Sequence, residues 1–495
     1  MSPPLTLLDA LREHAHCQLD APALIGNGST RSWAELEAGS GQVAQALRAR
    51  GFGNGDRAGI LAGNSPAWIE AFLGVLKAGG VAVPLNPRLA PAEHSRLLED
   101  AGAGVLIAEP QLAADTGFAG QVVPVGEIVP LPAAAAATTI APDDLAVVAY
   151  TSGTTGQPKG VMWSHRTLFA SARGNPFSAE LAAGKRILLV TPLGVGGSVV
   201  MFANALAVGA TLVIAQFNPQ TVLHLLAHDH IEFTGLVPTM IAMLVDAAPA
   251  GYRARSLRRI YYGAGTMRPQ LFTRARQVFG CEFQQGYGMT ETCIFGTRLD
   301  PADHSLFTPE RLASAGVPMP GVEIKIVGDD GAEVAPNTPG EICIRSPGNM
   351  LGYWQREEET RQALSDGWYR TRDIGRCDRD GYLHLLDRKD DMLKSGGLNV
   401  SPGEVEGVLA SHPDVEEAVV FGLPDERWGQ RVTAVVRKSA GADVDETELL
   451  AFCRGQLAGF KIPRALFFTD TPLPRNALGK VLRQALRAQY ATRPS

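Results

Sequence analysis

Tyr150-Thr-Ser-Gly-Thr-Thr-Gly-Gln-Pro-Lys-Gly-Val-Met-Trp-Ser-His165 continues directly from the apolar run Leu145-Ala-Val-Val-Ala-Tyr150. The run predicts a buried strand. A loop of Gly, Ser and Thr comes next, with one lysine, Lys159, and then apolar order resumes. Ser164 stands where it would cap a helix beginning near Arg166. Such a loop suits phosphate. Glycine lets the backbone approach an anion, and consecutive N–H groups form a concave anion site. Around Gly153, the hydroxyls of Thr151, Ser152, Thr154 and Thr155 add donors, and Lys159 adds a movable positive charge. It is not a Walker A loop, which needs Gly-Lys followed by Ser or Thr. Here Pro158 precedes the lysine and Gly160 follows it.

At 495 residues the chain is too long for one ordinary core, so two or more domains are expected. A content of 45% hydrophobic and 19% charged residues fits a globular enzyme, and the net charge of −6 provides no basic footprint for nucleic acid. The six cysteines (17, 281, 293, 343, 377, 453) form no C-x-x-C pair and read as reduced thiols of a cytoplasmic protein. The N-terminus has no basic region before its apolar residues, which argues against a signal peptide. The uncharged stretch Ile187 to Phe217 is long enough to span a bilayer. It holds Pro192, Asn204, Gln216 and four glycines, so we read it as strand, loop, helix and strand, with no transmembrane segment.

Before the loop the chain alternates helix and strand. A helix begins at Arg31-Ser-Trp-Ala-Glu-Leu-Glu and runs towards Arg50. Arg57 to Ala62 is a strand, Ala67 to Ala78 a helix, and Val81-Ala-Val-Pro-Leu a strand. This alternation predicts an α/β layer with mostly parallel sheets. The low-complexity stretch Leu131-Pro-Ala-Ala-Ala-Ala-Ala-Thr-Thr reads as a surface linker. Ile231 to Thr239 and Arg259 to Gly265 are again strand followed by loop. Gly263-Ala-Gly265 fails as a dinucleotide fingerprint because Arg268 holds the third glycine position. Gln284-Gln-Gly-Tyr-Gly-Met-Thr-Glu291 is the second signature: Gly286 and Gly288 flank Tyr287, a flat ring, and Thr290 with Glu291 makes an oxygen pair suited to phosphate and Mg²⁺. From Gly321 to about Arg345, short alternating strands with Asp329-Asp-Gly331 and Asn337-Thr-Pro-Gly340 turns predict a small β subdomain. The last hundred or so residues read as a small α+β domain, with a helix at Glu404 to Leu409 and strands at Val415 to Phe421 and Val432 to Val436.

The order Thr-Ser-Gly-Thr-Thr-Gly-x-Pro-Lys-Gly resembles the nucleotide loop of the adenylate-forming superfamily, which includes acyl- and aryl-CoA synthetases, adenylation domains and firefly luciferase. The resemblance covers nearly the whole chain and implies an ATP-dependent carboxylic acid:CoA ligase. A carboxylate attacks the α-phosphate of ATP, pyrophosphate leaves, and a thiol then takes the acyl group from AMP. ATP, Mg²⁺ and CoA are the implied cofactor and co-substrates, and a homodimer is an open expectation. The implied nucleotide residues are the loop with Lys159, then Tyr287, Gly288, Met289, and Asp373 with Arg388 on the ribose hydroxyls. Glu291 would face the metal, beside Thr290. Lys480, in Leu473-Pro-Arg-Asn-Ala-Leu-Gly-Lys480, matches the catalytic lysine. Asp390 matches the hinge between residues 1–389 and a mobile 390–495, and Ser395, Gly396 and Gly397 match the loop that admits pantetheine. Trp428 falls where chlorobenzoate-type ligases contact the CoA nucleotide, with Phe460 and Lys461 as further CoA-facing residues.

Two departures stand out. Thr371-Arg372-Asp373 replaces the usual Thr-Gly-Asp, so Arg372 is strained if that position needs φ > 0. Gly194 follows Leu193 directly, where relatives place His or an aromatic residue. The residues of the implied acyl pocket, Gly194, Val195, Gly196, Gly197, Ala264, Gly265 and Gly286, are small or apolar, with no charged partner in the segment. We expect a neutral acid with an aromatic, cyclic or medium-to-long aliphatic tail. The sequence runs only a short way past Lys480, so no fused carrier domain is expected. The alternative is therefore an adenylating enzyme that loads a carrier protein in trans.

Overall fold

The computed structural model describes residues 5–126, 139–151, 158–175, 180–265, 267–306, 308–389, 391–395, 398–439, 441–475 and 481–491. The chain divides into two compact units: Met1–Ile324 with Cys343–Arg370, and Lys325–Ile342 with Thr371–Ser495.

The first unit carries two sheets. One has nine strands among the described residues and runs parallel through its middle: Pro22–Gly26, Thr211–Ile214, Arg186–Leu189, Phe233–Leu236, Arg259–Tyr262 and Glu282–Tyr287. The other has seven, in the order Gly352–Tyr353, Gly160–Ser164, Leu145–Tyr150, Val81–Pro84, Arg57–Leu61, Val105–Ala108 and Gln121–Pro124. Helices Trp33–Arg48, Pro66–Lys77 and Gly196–Val208 lie in the layer between. One core cluster takes Ala58, Ile60 and Val147 from one sheet, Ile187 and Leu212 from the other, and Trp68, Phe72 and Phe202 from the helices. The ring centroids of Trp68 and Phe72 are 5.5 Å apart and those of Phe72 and Phe202 5.1 Å. Such aromatic triples stabilise a core beyond their buried area.

The predicted strand Leu145–Tyr150 forms, and Ser164 caps the helix His165–Gly174 by accepting from Thr167 N–H at 3.0 Å. The chain does not pass directly from the loop into that helix. Gly160–Ser164 is itself a strand and returns antiparallel, with Val148 opposite Met162 and Tyr150 opposite Gly160. On either side of the glycine-rich stretch, Thr151 N–H donates to Lys159 C=O at 3.1 Å. The uncharged segment resolves into strand, 13-residue helix and strand as expected. At 1.5 Å per residue that helix is about 20 Å long, short of the roughly 30 Å hydrocarbon core. Among the described residues no helix is long and apolar enough to cross a membrane.

In the second unit the Asp329-Asp-Gly331 turn closes a hairpin, Val334 N–H donating to Ile326 C=O at 2.9 Å. Residues 373–377 pair antiparallel with Leu383–Arg388. Further along, Val415–Asp425 and Gly429–Lys438 form a long hairpin joined by Leu393–Ser395, Leu398–Val400 and Ala465–Phe468. Helices Pro402–Ala410 and Glu446–Arg454 close a core of Val405, Leu409, Val420, Val432, Ala434 and Leu449. The molecule is α/β, with a large multi-layer N-terminal part, mostly parallel sheets, and a smaller α+β C-terminal part.

Candidate active site

The antiparallel return of Gly160–Ser164 brings the edge strand Gly352–Tyr353 alongside it, Tyr353 opposite Val161. Trp354 N–H donates to Gly160 C=O at 2.7 Å. This places the Tyr353 ring under Lys159, whose Nζ is 5.0 Å from the ring centroid. Lys159 also forms an ion pair with Glu359. At its edge, Tyr353 donates its hydroxyl to Glu291 Oε1 at 3.0 Å. Burial, then the Glu291 charge, raises the Tyr353 phenol above its ordinary range, so it stays a donor. Lys159 and Glu291, 132 positions apart in the sequence, thus both contact one tyrosine. Ser152, Gly153, Thr154 and Thr155 lie outside the described residues, as do Asp390, Gly396, Gly397 and Lys480.

The second motif follows the strand Glu282–Tyr287, which pairs with Thr297–Leu299. Thr290–Thr292 is a single 3-10 turn, not the start of a longer helix. Cys293 and Ile294 just after it hold φ of 50° and 57°, strained for side-chain-bearing residues. Gly288 is required by its own loop, because a Cβ there would sit 2.7 Å from the Ile294 carbonyl carbon. Gly286 has open space, its nearest neighbour for a Cβ being Met319 Cε at 3.9 Å. Met350 N–H donates to Glu291 C=O at 2.8 Å and fixes the turn.

Trp163, which no sequence signal singled out, ties this turn to the acyl-pocket segment. Its Nε1 donates to Thr290 C=O at 2.8 Å, and a Cβ on Gly196 would lie 3.1 Å from its Cη2 and 3.6 Å from Thr290 Cγ2. The segment is stapled by Asn64: its Nδ2 donates to Thr191 C=O at 2.9 Å, and its Oδ1 accepts from Leu193 N–H at 2.9 Å. Gly194 has no room for any side chain, since a Cβ would fall 2.0 Å from Leu85 O. The missing aromatic at this position therefore has a steric cause. Val195 stands just before the helix that Gly196 and Gly197 begin, without a side-chain cap. Ala264 takes φ 59° beside Gly265, while a Cβ on Gly263 would meet Gly286 O at 2.8 Å.

In the second unit Asp373 and Arg388 are cross-strand neighbours and pair with each other, Nε to Oδ1 at 2.7 Å. Asp373 is buried, and its N–H is held by Thr371 Oγ1 at 3.0 Å. Arg372, between Thr371 and Asp373, adopts φ 59°, the left-handed conformation expected if it replaces glycine. Ser395 is buried opposite Gly429, and its hydroxyl has no partner among the described residues. Trp428, next along from Gly429, is flanked by two guanidiniums that no motif announced: Arg464 at 3.8 Å and Arg427 at 5.0 Å from its ring. Phe460 packs on the unit's core, and Lys461 pairs with Glu404 at 2.6 Å.

Among the described residues no three His, Cys, Asp or Glu side chains converge as a metal cage. The donor set instead fits magnesium carried on phosphate. That ion takes one or two carboxylates, substrate oxygens and several waters, and Glu291 presents a carboxylate anchored through one oxygen.

The family profile described as AMP-binding enzyme matches residues 11–354, and that described as AMP-binding enzyme C-terminal domain matches 404–480. The chain is 36% identical over 479 residues to a feruloyl-CoA synthase of an Amycolatopsis species, covering 95% of this chain and 96% of that one. It is 34% identical over 502 residues to the fatty acid–[acyl-carrier-protein] ligase ScoC of Streptomyces coeruleorubidus, covering 98% and 96%. Among solved structures it resembles o-succinylbenzoate CoA synthetase from Bacillus subtilis. With its acyl-adenylate intermediate that structure gives a TM-score of 0.87 at 34% identity, covering 97% of each chain. With ATP and magnesium ion it gives 0.86 at 34%, covering 97% and 99%.

Proposed function

The chain belongs to the AMP-binding enzyme family, and we infer that it is an AMP-forming acid–thiol ligase acting on a carboxylic acid, ATP and coenzyme A. The end-to-end similarity to a CoA synthase carries this reading. An acyl-adenylate and pyrophosphate form first, and CoA then takes the acyl group and releases AMP. Little covalent work falls to the protein, so positioning and charge stabilisation dominate. When bound, Mg²⁺ neutralises the departing pyrophosphate. Glu291 would hold it, oriented by Tyr353 and backed by Thr290. The nucleotide hairpin with Lys159 would cradle the phosphates, Tyr287, Gly288 and Met289 would take adenine, and Asp373 and Arg388 the ribose. In that assignment the pair would have to open its 2.7 Å contact to share the hydroxyls.

We assign Lys480 to the charge that gathers between carboxylate and α-phosphate. In the thioester step residues 390–495 would turn about Asp390 to bring in Ser395 and the two glycines after it. Trp428 with Arg427 and Arg464 offers a stacking face beside positive charge, which suits the nucleotide of CoA. Phe460 and Lys461 support this less, each being already engaged. The acid is a neutral aromatic, cyclic or medium-to-long-chain one, because Gly196, Gly197, Ala264 and Gly265 leave an apolar space. A cytoplasmic site fits six free cysteines. A homodimer belongs to the same proposal, and light scattering tests it.

The deciding experiment is mass-spectrometric detection of acyl-CoA. The protein is incubated with MgATP, CoA and pooled aryl, cyclic and aliphatic acids beside a Lys480→Ala control. One dominant thioester, absent from the control, is expected. A dicarboxylate such as 2-succinylbenzoate turned over as well as any neutral acid would refute the pocket reading. Acyl-AMP without thioester would instead favour loading of a carrier protein, the second reading, which the similarity to ScoC supports.

A further inference from the structure

Glu359 belongs to neither sequence motif, yet its carboxylate forms the ion pair that holds Lys159. It stands in the first turn of the helix Glu357–Ala363, where acidic side chains are favoured. Thr360 indexes this helix to the strand beside the nucleotide hairpin. Its hydroxyl accepts from Tyr353 N–H at 2.9 Å and donates to Arg356 C=O at 2.8 Å. Arg356 in turn reaches Asp100 Oδ1 at 3.2 Å, and Asp100 Oδ2 accepts from the Tyr150 hydroxyl at 2.6 Å. Tyr150 opens the hairpin and Lys159 closes it, so Glu359 is braced against both ends of the loop.

The Lys159 ammonium lies between the Glu359 carboxylate and the Tyr353 ring. One ammonium cannot give its full charge to a carboxylate and to a polyphosphate at once. The side chains of Lys159 and Glu359 keep 28% and 37% of their exposure, so water can reach the pair and ease its exchange. We propose that Glu359 is a positioning residue that parks Lys159 against Tyr353, yields it to the phosphates of the incoming nucleotide, and recaptures it as pyrophosphate leaves. The parked lysine sits over the face of Tyr353, while Glu291 meets the hydroxyl at the ring's edge. This rests on the ligase reading above and names the element that tunes its phosphate affinity.

The test is calorimetric binding of MgATP and of magnesium pyrophosphate to the full chain, which needs no knowledge of the acid. Wild type, Glu359→Gln, Lys159→Gln and the double variant are compared. Glu359→Gln should bind both ligands about two- to fivefold tighter, the range of one exposed ion pair. The gain should fade in about 1 M salt, where the Debye length is ~3 Å. Lys159→Gln should weaken both, and adding Glu359→Gln to it should change nothing further. Glu359→Asp, a milder change, should fall between wild type and Gln. Unchanged or weaker binding by Glu359→Gln would overturn the proposal, as would an undiminished effect in the Lys159→Gln background. Wild type that binds no MgATP would instead bring down the ligase reading itself.

Discussion

Tyr353 links Lys159 of the first motif to Glu291 of the second. A hydrogen bond to a carboxylate contributes about 1.5–3 kcal/mol when neither partner is left exposed. Tyr353→Phe should therefore weaken MgATP binding by roughly tenfold, with the melting temperature little changed; equal losses for MgATP and free acid would refute this role. His165, at the end of the first motif, is buried, and burial pushes its imidazole down to about 4. The unfolded chain binds that proton from about pH 6.5 downwards, so the native state loses stability as pH falls from about 6.5 towards 4. A denaturant series should show a loss of about 2–3 kcal/mol across that window, and His165→Gln should flatten it. Arg372→Gly should raise stability by about 1 kcal/mol, because φ 59° disfavours an arginine. The strain at Arg372 was legible in the sequence from one broken pattern. Lys159 and Glu291 were legible too, since each sits in a dense motif. Tyr353, Glu359 and Trp163 were not, because an isolated Tyr, Glu or Trp acquires its role only from partners far along the chain.

Elements followed their local signals. Ser32, Ser65 and Ser164 each cap a helix by accepting from the N–H three residues on. Only the cap at Ser164 is read from the sequence, and the helix after Ser32 starts at Trp33 rather than at Arg31, which belongs to the strand Ser29–Ser32. The return strand Gly160–Ser164 escaped because five residues of Gly, Val, Met, Trp and Ser, buried nearly throughout, carry no alternation. The C-terminal helix Arg483–Tyr490 is anchored at its first residue. Arg483 reaches Asp391 Oδ2 at 3.0 Å and Glu406 Oε2 at 2.7 Å. Burial raises the Glu406 carboxyl while Arg483 opposes that shift. This clasp joins the residue after the expected hinge to a residue three past Lys480. Arg483→Met should lower stability by about 2 kcal/mol, leaving a carboxylate poorly matched. Adding Glu406→Gln should recover most of it, and ATP–pyrophosphate exchange should fall further than the stability loss explains. Exchange that tracks the folded fraction alone would reduce the clasp to a structural pair.

At the scale of the molecule, the alternation of strand and helix announced the α/β class, and the fold of the first unit follows from which apolar runs are buried on both faces. A turn of residues 390–495 would leave no signature in local pattern, because a pivot needs only a few residues to change φ/ψ. If residues 390–495 turn about Asp390, limited proteolysis should cut near that position, and a non-hydrolysable acyl-adenylate analogue should slow the cut; equal rates with and without it would speak against the pivot. The cramped site of Gly194 bears on how such a ligase can diversify. With Leu85 O 2.0 Å from any Cβ there, every codon but glycine is closed, whereas a Cβ on Gly197 meets nothing within 4 Å. Directed evolution towards shorter or bulkier acids should find its accepted changes at 197 and around it, with 194 invariant in every surviving lineage, so that one carbonyl oxygen marks out which part of the acid repertoire is within mutational reach.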